Sequence, residues 1–403
     1  MTEKLRIALA MEYPVALRGG VSVLIESLAQ DLSQEHEIFL VSCDNSIEKI
    51  PSATASSLFG HFFWSPSGRV GSGKFSQQVR ELISWLQENK IDILHLHCGG
   101  VYGWGNRFPW FSVARAANRV GIKVCWTDHL VVSPTSGICG NNKPLWFKYL
   151  LLPWAWLGKI DQLNHVCCEI AVSTHDHLKL KKWYFPMRRK FRRIYHSRLA
   201  GIAEKPFITA TRQQTILNVG HVAFRKGQHV LAQAFVNLAA RFPDWKLLFV
   251  GHDSGDGCWQ EIESIRNAHH LSDRIILLGQ QQDVTPLMTT CGLYVQPSRW
   301  EALGLALQEA LYYGCPAIGT NVGGIPELID DGANGFLVPP DDPTTLGERM
   351  AILMGDDGLK TLFSRNARSS IFDKSMSRQA MVSEHADLYR HLHFHSNSDA
   401  PHS

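Results

Sequence analysis

The stretch QPSRWEALGLALQEALYYGCPAIGTNVGGIPELI, Gln296–Ile329, sets two acids, Glu301 and Glu309, among small and apolar residues and follows them with a Gly-Gly pair. Around the acids the pattern is that of buried α/β core: GLYVQPS reads as a strand, LGLALQEALYYG as a helix, CPAIGTN as a strand and GIPELI as a short helix. If both acids lay on one continuous helix, their eight-position separation would place them within ~80° of each other and roughly 12 Å apart along the axis. That distance is too long for the paired carboxylates of ordinary glycoside hydrolysis and suits a grip on two parts of one long ligand.

Glu301 falls at the strand-to-helix turn. The backbone from Ala302 and Leu303 through Gly304 to Leu305 is expected to offer unpaired N–H groups at the helix start, a seat for a phosphate or diphosphate, with Gly304 allowing close approach. TNVGGIPEL then adds a second glycine turn and helix start beside the first. Taken alone, the same acids also fit a solvated helix-start carboxylate and a surface ion pair.

Before this stretch, QTILNVG, WKLLFVG and RIILLG are strands alternating with the helices GQHVLAQAFVNLAARFP and GCWQEIESIRNAHH. The first half has the same rhythm, with strands RIALAM, HEIFLVS, IDILHLH and IKVCWTDH separated by amphipathic helices. SIEKIPSATASSLFGHFFWSPSGRVGSGKFS and residues 131–147 read as irregular excursions. The predicted architecture is α/β: two doubly wound Rossmann-like domains, residues 1–205 and 206–375, joined near 199–212 and facing each other across a ligand cleft. Residues 376–392 are expected to form a helix that returns to the first domain, and 393–403 a polar, disordered tail.

At 403 residues the chain exceeds what one hydrophobic core usually supports, in keeping with two domains. A formal charge of +3 does not by itself point to nucleic acid, and no nucleic-acid module is recognisable. The nine scattered cysteines show no CxxC or zinc spacing, so they are expected as buried thiols in a reducing, cytoplasmic setting. GHDSGDG lacks the GxGxxG register and GSGK a full Walker motif, which argues against NAD and ATP. Gly19-Gly20, beside Arg18, starts a helix after the first strand, and His97 and His129 also sit near strand ends. In NVGHVAFRKGQH, Arg225 and Lys226 follow the first strand of the second domain, where cations could neutralise a leaving diphosphate.

EALGLALQEALYYGCPAIGTNVGGIPE, with NGFLVPPDD, resembles the large family-4 glycosyltransferases of the group 1 type, whose hallmark is two acids separated by seven residues. RGGVSVLIESLAQDLSQEHEIFLVS, DILHLH and TDH in the first half resemble it more loosely. The resemblance implies a GT-B fold and retaining transfer without metal or cofactor, from a nucleotide-diphosphate-sugar held by the second domain to an acceptor held by the first. By position it implies that Glu309 bonds the nucleotide ribose, Glu301 the transferred sugar and Lys226 the diphosphate. It further implies that Gly20 and its helix close over the phosphates and that His129 lies near the reacting carbon. Three places depart from the family: His221 stands where arginine is common, ALG replaces GFG, and IYHSRLAG replaces an IPNGVD-like ending. Arg225 is the candidate to compensate for His221. The departures keep open a second reading, a catalytically impaired sugar-nucleotide-binding or scaffold protein.

On the acceptor side, KLKKWYFPMRRKFRRIYHSR, residues 179–198, carries nine basic residues and no acid, interleaved with aromatics. Such a surface attracts anionic lipid heads, each exposed cation contributing on the order of 1 kcal/mol. The same surface could equally attract RNA; the resemblance to the family favours a glycan or lipid-linked acceptor with peripheral docking on the cytoplasmic membrane face, and leaves a soluble small-molecule or protein acceptor open. The alternative is a basic helix pair packed on the first domain with its lysines in water. YLLLPWAWL, Tyr149–Leu157, is about half the ~20 residues of a membrane span, which leaves resting on a surface open.

Overall fold

Runs such as RIALAM and EIFLVS have no polar alternation, the mark of strands covered on both faces. In the computed structural model they are strands β1 (Arg6–Met11) and β2 (Glu37–Ser42) of one parallel sheet. The structure describes residues 4–15, 19–65, 70–99, 103–134, 144–197, 199 and 212–394. The chain divides into two units, Met1–Arg198 with Gln379–Ser403, and Leu199–Arg378.

The first unit holds β1 and β2 with β3 (Gly60–Phe63), β4 (Ile93–Cys98), β5 (Lys123–Asp128), β6 (Cys168–Ala171) and β7 (Phe191–Arg193), in the order β3-β2-β1-β4-β5-β6-β7. Every pair is parallel, so the loops after the strands share one edge. Register puts Met11 beside His97 and Cys98 beside Asp128, which brings Glu12, His97 and His129 to that edge. The C-terminal helix Arg378–Phe394 packs on this unit through Met381, Ala386 and Tyr389, and the Tyr389 hydroxyl bonds His95 Nδ1 at 2.6 Å. The helix runs past residue 392 to Phe394, and the tail after it lies outside the described residues.

The second unit holds β8 (Gln213–Val219), β9 (Lys246–Val250), β10 (Ile275–Leu277), β11 (Cys291–Gln296), β12 (Ala317–Thr320) and β13 (Gly335–Val338), in the order β10-β9-β8-β11-β12-β13. It too is parallel throughout.

Two segments differ from expectation. The first Ser/Gly-rich excursion contains a short helix, Ser52–Ala55, and the edge strand β3. Its strand is hidden in sequence because its signal is one glycine: a Cβ on Gly60 would meet the Phe39 ring at 2.9 Å, so only glycine lets the edge pair there unhindered. The basic segment is not a helix pair. It is the end of a helix, Thr174–Trp183, then a turn of 3-10 helix, Phe185–Lys190, then β7. FRR pairs because β7 is an edge strand, where charged side chains are tolerated and discourage further pairing. Of the second excursion, residues 135–143 lie outside the described residues.

Candidate active site

In the second unit, β11 ends in Gln296 and the chain then turns through Ser298 and Glu301 before the helix Leu305–Tyr312 begins. Glu301 is therefore not on the helix with Glu309, and the helix starts later than Ala302. Ala302 and Leu303 lie buried ahead of the cap residue Gly304, which is left-handed at φ 99°. The first helical bond runs from Gln308 N–H to Gly304 O at 2.9 Å, so the first-turn amides belong to Leu305, Ala306 and Leu307.

Glu301 is 8% exposed, and its Oε2 accepts from Lys226 Nζ at 2.5 Å and from Gln296 Nε2 and Ser298 Oγ at 3.3 Å each. Burial pushes the Glu301 carboxyl up, but Lys226, Arg225 and Ser298 outweigh it and hold the group below the usual carboxylate range. Behind it the Tyr294 hydroxyl donates to Gln296 Oε1 at 2.9 Å and Gln296 Nε2 to Ser298 Oγ at 2.8 Å. The Tyr294 phenol is held well above its ordinary range by burial and by the charges of Glu309 and Glu301, so it stays a donor.

Two glycines let the loops meet. A Cβ on Gly323 would fall 1.7 Å from the Glu301 carbonyl oxygen, and one on Gly227 would fall 1.9 Å from the Pro297 carbonyl oxygen. The Gly-Gly turn after β12 and the Lys226 loop after β8 are thus both seated on the Glu301 loop. Arg225 is exposed, its guanidinium 3.5 Å from Trp300 O. His221 packs on His252 with ring centroids 4.0 Å apart. Partial burial, His252, Lys226 and Arg225 lower its pKa to about 4, so it is neutral near pH 7 and supplies no second permanent cation.

In the first unit, Gly19 caps the helix Gly20–Leu32 in extended conformation, while Arg18 lies outside the described residues. His129 follows β5, and its Nε2 lies 3.0 Å from His97 Nδ1. A proton on His97 Nε2 would be a buried N–H without an acceptor among the described residues, costing ~1–3 kcal/mol. His97 therefore donates from Nδ1, which leaves neutral His129 its own proton on Nδ1. Burial and His385 lower His129 to about pH 3, so it acts as a neutral donor. His95, His196 and His385 pack around this pair, His129 to His196 at 5.0 Å between ring centroids and His95 to His97 at 4.1 Å.

Directly before His129, Asp128 belongs to a fully buried trio. Lys159 Nζ is 2.7 Å from Glu169 Oε2 and 3.7 Å from Asp128 Oδ2. Burial, only partly offset by Lys159, raises Asp128 well above the carboxylate range, and the Glu169 charge adds to that. Burial thus favours the protonated form of Asp128, and the Lys159–Glu169 ion pair anchors the strand end that presents His129. Glu12, after β1, accepts from Trp104 N–H at 2.6 Å, and burial raises its pKa to about 7. Among the described residues no three His, Cys, Asp or Glu side chains converge as a metal site.

Two family models match the chain: "Glycosyl transferases group 1" over residues 203–370 and "Glycosyltransferase Family 4" over residues 18–197. The chain belongs to the family-4 glycosyltransferases. Relatives within that glycosyltransferase group include N-acetyl-alpha-D-glucosaminyl L-malate synthase of Bacillus anthracis, 32% identical over 49% of this chain and 50% of the relative. Phosphatidyl-myo-inositol mannosyltransferase of Mycolicibacterium smegmatis is 28% identical over 91% of this chain and 89% of its own. For several curated relatives, the Bacillus anthracis protein included, the match spans only about half of their length. Among solved structures, Anabaena HepE in complex with UDP superposes with a TM-score of 0.75 at 16% identity, over 96% of this chain and 100% of that one. The fold is therefore GT-B, shared with glycosyltransferases.

Several residues of this candidate site escaped the sequence reading. Tyr294, Gln296 and Ser298 recur with period two at the end of an apolar strand, a polar face that the alternation of YVQPS could have revealed. Lys159 and Glu169 each interrupt an apolar segment, and Glu12 follows a wholly apolar strand, which are the corresponding signals.

Proposed function

We propose that the chain transfers a sugar, with retention of anomeric configuration and without a metal ion, from a nucleotide-diphosphate-sugar to a hydroxyl of a glycan or lipid-linked acceptor. The observation that carries the reading is the Lys226–Glu301 pair at 2.5 Å beside the start of the Leu305–Tyr312 helix. Lys226, Arg225 and the amides of Leu305–Leu307 supply positive charge for a leaving diphosphate. Glu301, held from behind by Gln296 and Ser298, is oriented to accept from sugar hydroxyls, and Glu309 takes the ribose. For the first unit the resemblance assigns the helix start at Gly19 and Gly20 a role toward phosphate and His129 a donor role. The acceptor oxygen bonds the anomeric carbon as the bond to the diphosphate oxygen breaks, and a phosphate oxygen takes the acceptor's proton. HepE complexes with UDP and with UDP-glucose support a nucleotide-sugar as the donor class.

Neutral His221 favours a second reading, donor binding without transfer. The test is nucleoside diphosphate release from UDP-glucose and related donors, with and without a cell lipid extract. Release that needs the extract supports transfer. A donor-induced thermal shift without release supports the second reading, and neither result removes both.

A further inference from the structure

The helix Leu145–His165 buries Ala155 and Leu163 in the core of the first unit yet leaves a long apolar stripe in water. Its inward face carries the buried Lys148, Lys159 and Gln162, whereas Trp146, Tyr149, Leu150, Pro153, Trp154 and Leu157 are all exposed. Those six positions follow i, i+3, i+4, i+7, i+8 and i+11, one continuous stripe about 16 Å long. Trp146 is 68% exposed, Leu150 63% and Trp154 52%. Water-facing side chains of this size in one register are unusual on a soluble surface and mark an interaction site.

The stripe borders a groove of about 550 Å³ lined only by apolar side chains: Pro134, Leu152, Pro153, Trp156, Leu157 and Trp183. That volume lies in the range of roughly 300–1,000 Å³ that small ligands occupy. The groove's far wall is tied to the helix by Trp156 Nε1, which donates to Trp183 O at 3.4 Å. On either side of Trp183 in the chain lie exposed Lys182, Phe185, Arg188 and Arg189, and none of the three cations has a carboxylate partner among the described residues. An apolar slot, a rim of aromatic rings and a flanking row of cations match one chemistry, a hydrocarbon chain with an anionic head. No helix among the described residues is long and apolar enough to cross a membrane, so the stripe lies on a surface.

We infer that the Leu145–His165 stripe docks on an anionic membrane and that the groove seats the hydrocarbon chain of an anionic lipid drawn from it, with Lys182, Arg188 and Arg189 on the headgroup. The docking element is therefore this helix, and the basic segment 179–198 supplies the charge beside it. The inference rests on the transferase reading only in taking the seated lipid as the acceptor's carrier. A second copy of the chain is the competing occupant.

Flotation of the full chain with vesicles of phosphatidylcholine alone, or containing phosphatidylglycerol, tests it. Wild type floats with the anionic vesicles, and Trp146→Ser/Leu150→Ser/Trp154→Ser lowers the floating fraction about tenfold or more. Arg188→Glu/Arg189→Glu lowers flotation on anionic vesicles alone. Because all five side chains are exposed, the thermal shift with UDP-glucose stays that of wild type. Lipids brominated in the acyl chain quench wild-type tryptophan emission, a reading that needs no variant to fold. Wild type remaining unbound, or the triple variant floating as wild type does, overturns the inference. So does a wild-type dimer that the triple variant turns to monomer without vesicle binding. If the vesicle results hold while neither UDP-glucose nor any related nucleotide-sugar gives a shift in any protein, the surface stands and the transferase reading falls.

Discussion

Acidification should unfold the first unit while the second remains folded. His95, His97, His196 and His385 are at most 2% exposed, and burial is the first cause holding all four below 6.5, the first three far below and His385 at about 4. A histidine depressed in this way stabilises the fold fully above its unfolded pKa, and that stability is lost as pH falls toward the folded value. With an unfolded value near 6.5, a histidine kept neutral in the folded state contributes about 2 kcal/mol less at pH 5 than at neutral pH. The four together remove about 8 kcal/mol, comparable with a domain's whole stability of ~5–15 kcal/mol. Nine of the twelve tryptophans lie in the first unit, so their emission reports it. The expected record is a steep red shift between about pH 6 and pH 5, with urea midpoints falling along the same interval. Urea midpoints that do not change from pH 7 to pH 5 would refute the buried, neutral cluster.

Other outcomes follow from single contacts. Lys159→Met leaves Glu169 buried without its cation and should cost ~3–5 kcal/mol in urea unfolding, with Lys159→Met/Glu169→Gln recovering part of it. His97→Phe removes the donor to His129 Nε2; ring-nitrogen NMR should show a single Nδ1–H tautomer of His129 in wild type and a mixture in the variant. His221→Arg adds a permanent cation beside Lys226 and Arg225 and should tighten nucleoside diphosphate binding about tenfold by calorimetry.

Strands β1, β2, β4, β5 and β8 to β12 were legible because each is a short apolar run followed by a turn or helix signal, while β6 and β13 are four-residue runs too short to stand out. β3 and β7 were not, since an edge strand needs no apolar run, and GHFF and FRR gain their pairing from a neighbour rather than from their own pattern. Glu301, Glu309 and Lys226 stood out as charges at strand and helix ends. What the linear pattern could not give was that Lys226 pairs with Glu301, 75 positions away, or that Gly323 packs on the Glu301 backbone, because both follow from which loops the parallel order brings to one edge. The imidazole cluster was hidden for the same reason, His385 and Tyr389 reaching it from the C-terminal helix.

Calorimetric titration with a nucleoside diphosphate and with the matching nucleoside, comparing wild type with Lys226→Ala, addresses the donor site most directly. A charge-assisted contact to the diphosphate is worth ~1.5–3 kcal/mol, so the substitution should weaken the diphosphate about tenfold or more and leave the nucleoside unchanged. Equal diphosphate affinity in the two proteins would contradict the assignment of Lys226 and its Glu301-held loop to the donor.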